Sequence, residues 1–162
     1  MSNRREKDTF EFTPPDLDRI TGYLHHVTEA AGGWINLMPG VELDDSQTTT
    51  VSAGLFSFFG NRQAPVTMTT FMPAPPSRQA TEGVTIGLQH PTGGKAVARL
   101  AEAGVPVPEG WLVRQDHARR GLLFRAPHGA AEGDIIEWSL RAGAALCREE
   151  LTGEWQAVVY LP

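Results

Sequence analysis

A glycine-rich turn near the middle of the chain has the residue types that bind anions. It spans residues 90–95, with the sequence His-Pro-Thr-Gly-Gly-Lys, between a predicted strand and a predicted helix. A helix N-terminus presents unpaired N–H groups and the positive end of the helix dipole, which together suit a phosphate or carboxylate. The candidate anion-binding residues are Thr92, Gly93, Gly94 and Lys95.

The turn departs from the phosphate-binding loop of nucleotide hydrolases. That motif needs a glycine separated by four residues from its Gly-Lys pair, and a Ser or Thr after the pair; here Gln89 and Ala96 occupy those positions. A plain strand-to-helix turn capped by Thr92 explains the same residues. An anion-binding domain, or a small enzyme with His90 as acid or base, therefore stays an alternative interpretation.

A predicted hairpin carries four arginines within twelve residues of a chain whose net charge is −5. Its strands are predicted over residues 111–115 and 122–126, with a polar turn between them. Arginine binds carboxylates and phosphates through two parallel hydrogen bonds, so the hairpin could bind an acidic partner. A solvated turn is the alternative. The arginines are Arg114, Arg119, Arg120 and Arg125.

The other reactive residue types do not form a recognisable site. His25 and His26 are neighbours on a predicted helix and project about 100° apart, whereas a metal chelate needs a spacing of three or four. Asp116 and His117 are adjacent and tend to point apart, so proximity does not make them a catalytic pair. Cys147 lies on the apolar side of a predicted helix, where a thiol is inert. The sequence therefore favours a non-catalytic protein without metal or cofactor.

One predicted strand, over residues 50–59, is apolar on both faces. If Leu55 and Phe59 face the core, Phe56 and Phe58 line a groove or a dimer interface. If helices cover both faces of the sheet, all four side chains belong to the core. The two interpretations stay open, and the first makes Phe56 and Phe58 candidate interaction residues.

These residues are positioned by elements whose order predicts an α+β fold. Apolar residues at spacings of three and four predict a first helix from Thr13 to Gly32, with Thr13 as cap and Pro14 in the first turn. Four strands follow, then a helix beginning near Thr92, the hairpin, a helix capped by Asp134, and a final strand over 155–161. The strands are joined by short polar turns, so the sheet is predicted to be predominantly antiparallel.

The predicted element order is thus α-β4-α-β2-α-β. It favours a two-layer sandwich with the helices packed on one face of the sheet. We expect a flexible N-terminal arm over residues 1–12 and a single domain over residues 13–162. In element order alone the chain is similar to the small secretion chaperones and related two-layer folds, which hold partner proteins.

Composition limits the class of protein. Apolar residues make up 41% of the chain and charged residues 20%, which is typical of a globular protein. The single cysteine excludes an intramolecular disulfide, and the charged N-terminus lacks a signal sequence, so we expect a soluble cytoplasmic protein with no membrane segment. The net charge of −5 argues against a nucleic-acid partner.

These patterns together favour a non-catalytic protein-interaction or chaperone-like module, with a protein partner or a second copy of itself as ligand. The predicted interaction surface combines the apolar strand with the arginine-rich hairpin. The alternative is binding of a small anionic metabolite by Thr92 to Lys95.

Overall fold

The computed structural model describes residues 7–42 and 66–162. Within these ranges the strands are Lys7–Phe12 (β1), Trp34–Val41 (β2), Met68–Met72 (β3), Thr85–Gln89 (β4), Leu112–His117 (β5), Gly121–Arg125 (β6) and Leu151–Tyr160 (β7). The helices are Asp18–Glu29 (α1), Ala96–Glu102 (α2) and Glu132–Leu146 (α3). The predicted strand over 50–59, with Phe56 and Phe58, lies outside the described residues.

The described strands form one seven-stranded sheet in the order β1-β7-β2-β3-β4-β6-β5. Every neighbouring pair is antiparallel. The α+β class and the antiparallel sheet predicted from the sequence are confirmed. Among the described strands, β1 and β5 form the edges of the sheet.

The hydrophobic core lies between one face of the sheet and the helices. Ile35, Phe71, Ile86 and Phe124 are aligned across β2, β3, β4 and β6 by the strand pairing. Paired residues point to the same face of a sheet, and all four side chains are fully buried. The helix residues that pack into the same core include Ile20, Leu24, Val27, Leu100, Ile135, Ile136 and Trp138.

Residues 7–12 are not part of a flexible arm, contrary to the prediction for residues 1–12. They form β1, which pairs with β7 along its whole length, from Lys7 opposite Tyr160 to Phe12 opposite Trp155. Phe10 is only 7% exposed, and its ring stacks on that of Tyr23 in α1 at 5.7 Å. Burial of this aromatic ring fixes the strand because its transfer from water is favourable.

The first helix begins at Asp18, not near Thr13 as predicted. Thr13 instead accepts a backbone hydrogen bond from Asp16 at 3.0 Å, which closes a turn. Pro14 is followed by Pro15, and a residue before proline is disfavoured in the helical conformation. The third helix also differs from the prediction: it begins at Glu132 after Ala131, with no side-chain cap.

The second face of the sheet is not covered by any of the three described helices. On this face the rings of Trp34 and Tyr160 stack at 4.5 Å, and Met72 is 38% exposed. None of the helices in residues 7–42 and 66–162 combines the length and the apolar composition needed to cross a membrane.

Candidate binding surfaces

The N-terminus of α2 is capped by a carboxylate from another element. Asp116 lies on β5, and its two carboxylate oxygens accept hydrogen bonds from the backbone N–H groups of Ala96 and Val97, both at 3.1 Å. Lys95 stands at the cap position in the left-handed conformation, with φ of 58°. The helix therefore begins at Ala96 rather than near Thr92, and two donors at its N-terminus already bind an anionic group of the protein.

The glycine-rich turn is held from the inside by Arg99. Its guanidinium donates to the Thr92 hydroxyl at 2.7 Å, the Gly93 carbonyl at 2.9 Å and the Gly94 carbonyl at 2.5 Å. These bonds orient carbonyl oxygens inward and give the turn an internal structural role. Anion binding by Thr92 to Lys95 stays a prediction, and the internal partners Asp116 and Arg99 weaken the case for it.

His90 lies at the base of this turn. Its Nδ1 is 2.8 Å from the Thr92 hydroxyl and accepts from the Thr92 N–H at 3.3 Å. Burial lowers the pKa of His90, the Arg99 charge lowers it further, and Asp116 acts in the opposite direction. The imidazole is therefore neutral near pH 7, and its Nε2 is buried without a hydrogen-bond partner among the described residues.

The arginine-rich hairpin is formed by β5 and β6, as predicted. Arg114, Arg119 and Arg120 are exposed, whereas Arg125 points to Glu82 and forms an ion pair at 3.2 Å. The turn itself is ordered by His117, whose Nδ1 accepts from the backbone N–H groups of Arg119 at 3.1 Å and Arg120 at 3.2 Å. Three of the four predicted arginines are thus exposed near one another at the β5 edge of the sheet.

The edge strand β5 also exposes apolar side chains. Leu112 is 54% exposed and Val113 is 46% exposed. The pairing of β5 with β6 shifts between Val113 and Gln115, which leaves Arg114 at a bulge. Sequence reasoning identified the arginines but missed the two apolar residues, because edge position depends on the strand order and not on the local pattern.

The opposite edge strand, β1, has a different chemistry. Lys7, Thr9 and Glu11 are exposed, and they alternate with Asp8, Phe10 and Phe12, which face the helices. Asp8 forms an ion pair with Arg19 at 2.9 Å and accepts a short hydrogen bond from the Tyr23 hydroxyl. These two bonds, with Tyr23 first, lower the pKa of Asp8 and tie β1 to α1.

A cleft of about 230 Å³ opens between the end of α1, the β3–β4 connection and the segment before α3. Glu132 lines the cleft, and one of its carboxylate oxygens lies 3.1 Å from His25 Nδ1. This hydrogen bond is the main cause of the lowered pKa of Glu132, which makes its carboxylate a weaker base. Glu82, also at the cleft, already pairs with Arg125. The arrangement is stabilised internally and offers little for acid-base chemistry.

The predicted residues therefore separate into distinct places. The turn residues lie beside α2, three arginines lie at the β5 edge, and Phe56 and Phe58 lie outside the described ranges. No group of three or more His, Cys, Asp or Glu side chains that could bind a metal occurs in residues 7–42 and 66–162.

A comparison with family models, curated proteins and solved structures finds no match for this chain.

Proposed function

We propose that the protein is a non-catalytic, cytoplasmic protein-interaction module that acts as a homodimer joined through β1. The observation that supports this proposal is the alternation of Lys7, Thr9 and Glu11 along an exposed sheet edge. An edge strand presents backbone N–H and C=O groups that can pair with another strand. The side chains then decide which strand fits.

The charges of β1 are complementary to a second copy of itself. When two copies pair antiparallel about a two-fold axis at Thr9, each Lys7 stands opposite the partner's Glu11, and Asp8 stands opposite the partner's Phe10. Opposite charges facing each other across strands stabilise the pairing. Shifting the axis to Asp8 would place two carboxylates opposite each other, so the charge pattern favours one register.

The other edge does not suit self-pairing. Arg114 lies near the middle of β5, so an antiparallel pair of β5 strands would bring the two copies' arginines together. The dimer is therefore assigned to β1, and β5 stays available for a different partner.

Charge reversal tests the dimer. Lys7→Glu places carboxylates opposite each other at two symmetric positions, and Glu11→Lys does the same with ammonium groups. Each single variant should weaken dimerisation by about tenfold or more, and the double swap Lys7→Glu/Glu11→Lys should restore it. Molar mass measured by light scattering over a range of concentrations gives the result.

The matched controls are Lys95→Glu and Glu102→Lys, which make the same charge changes at exposed positions around α2. Both should dimerise like the unmodified protein. A monomeric unmodified protein at the highest concentration, or single variants that dimerise normally, would contradict the proposal.

A further inference from the structure

We infer that the β5 edge binds an extended acidic segment of a partner protein by adding it to the sheet as a further strand. This inference names the partner chemistry of the proposed interaction module and rests on that proposal. It concerns the edge that the dimer leaves unused. The observations that carry it are two exposed apolar side chains on β5 and three exposed arginines, one on β5 and two in the turn that follows it.

The backbone of β5 has the geometry that strand addition requires. Its inner side pairs with β6 from Leu112 opposite Arg125 to His117 opposite Gly121, and its outer side has no strand partner among the described residues. In this mode of recognition the main chain supplies much of the affinity and alternate side chains supply the specificity. The strand therefore offers a template of fixed shape.

The apolar residues lie where an added strand would cover them. Leu112 aligns with Arg125 on the face opposite the three described helices, and Val113 aligns with Phe124 on the face that those helices cover. Both side chains are about half exposed, at 54% and 46%, so contact with a neighbouring strand would remove apolar area from water on both faces. Burial of that apolar area favours binding.

The arginines determine the charge of the partner. Arg114, Arg119 and Arg120 are exposed, and none of them has an ion pair with another described residue. The protein carries a net charge of −5, so a cluster of three cations is a local exception that repels basic segments and attracts acidic ones. The hydrogen bonds of Gln115 to the carbonyls of Arg120 and Gly121, both 3.2 Å, hold the turn in place.

A polyanion such as nucleic acid is less well matched to this edge. Sequence-tolerant single-strand binding combines cations with aromatic platforms on which bases stack. The exposed large apolar neighbours of the arginines are Leu112 and Val113, which are aliphatic. The edge thus favours a peptide over a nucleic acid, and an oligonucleotide competitor distinguishes the two.

The test uses two short, blocked and fluorescent peptides, one of alternating Val and Glu and one of alternating Val and Lys. Binding is followed by fluorescence anisotropy. The Glu peptide should bind the unmodified protein, and the Lys peptide should not. N-methylation of every second residue of the Glu peptide should abolish binding for one of the two sets of positions, because alternate N–H groups of a strand point to opposite sides.

The decisive variant is Arg119→Glu/Arg120→Glu, since both side chains are exposed and the turn is held through backbone atoms of these residues. It should bind the Glu peptide about tenfold more weakly. Arg78→Glu/Arg148→Glu, with the same charge change at exposed positions elsewhere, should bind normally. Lys7→Glu should also bind normally, which separates failure of this inference from failure of the dimer.

Three results would overturn the inference. They are equal binding of the Glu and Lys peptides, absence of binding up to millimolar peptide, and displacement of the Glu peptide by oligothymidylate of equal charge at equal or lower concentration.

Discussion

The two edges of the sheet differ in how the rest of the protein holds them. In β1 the inward side chains Phe10 and Asp8 are bound to α1 by ring stacking and by hydrogen bonds. In β5, Asp116 accepts hydrogen bonds at the N-terminus of α2, and the apolar residues Leu112 and Val113 stay exposed. Inward contacts decide how firmly an edge is anchored, and outward charges decide what it can pair with.

The largest expected effect comes from removing the anchor of β1. Phe10→Ala leaves a cavity where a side chain that is 7% exposed packs against α1. We expect the free energy of unfolding to fall by about 3–5 kcal/mol. Urea unfolding followed by tryptophan fluorescence measures this change.

The matched control on the other edge is Val113→Ala, at a side chain that is 46% exposed. It should change the free energy of unfolding by less than about 0.5 kcal/mol. Similar losses at the two positions would show that the edges are anchored alike and would remove the contrast between them.

A smaller effect is expected at the hydrogen bonds between β5 and α2. Asp116→Ala removes the carboxylate that accepts from Ala96 and Val97. We expect a loss of about 1 kcal/mol, as for other helix caps. Arg114→Ala, on the same strand but exposed, should leave stability unchanged. An unchanged unfolding midpoint for Asp116→Ala would argue that the cap contributes nothing.

The contributions of His90, at the end of β4, and of Asp8, on β1, to stability should be lost in separate pH ranges. Because the pKa of His90 is lowered from 6.5, the unfolded chain binds its proton first, and stability falls as the pH drops below about 6.5. The pKa of Asp8 is lowered from 3.8, so its stabilising effect is lost only as the pH falls through and below that value. Thermal unfolding across this range should show both steps.

Two variants show which residue causes each fall in stability. His90→Gln should reduce the slope between pH 6.5 and 5 and leave the acid step, whereas Asp8→Asn should reduce the acid step alone. Glu132, whose pKa is also lowered, contributes to the acid step, so some of it should persist in Asp8→Asn. Identical profiles for His90→Gln and the unmodified protein would contradict the assignment of the upper step.

The sequence was informative where one segment contains the whole pattern. The spacing of Ile20, Leu24 and Val27 predicts a helix, and all three are buried as expected. The hairpin was also predictable, because its two strands and polar turn are contiguous.

The sequence was less informative where the partner of a residue is distant along the chain. The local sequence of Lys7 to Phe12 is typical of a charged arm, whereas its strand conformation depends on pairing with β7. The start of α2 depends on Asp116, which comes from a strand 20 residues later. The exposure of Leu112 and Val113 follows from the strand order, which local periodicity does not contain.

The most direct test of the contrast between the edges is disulfide trapping. In the predicted dimer register Thr9 stands opposite Thr9 of the second copy, within the range of about 4.4–6.8 Å between Cα atoms that a disulfide can span. With Cys147 replaced by Ala, the Thr9→Cys variant should form a covalent dimer under mild oxidation, and the Arg114→Cys variant should not. Equal cross-linking of both variants, or none at Thr9→Cys, would contradict the account.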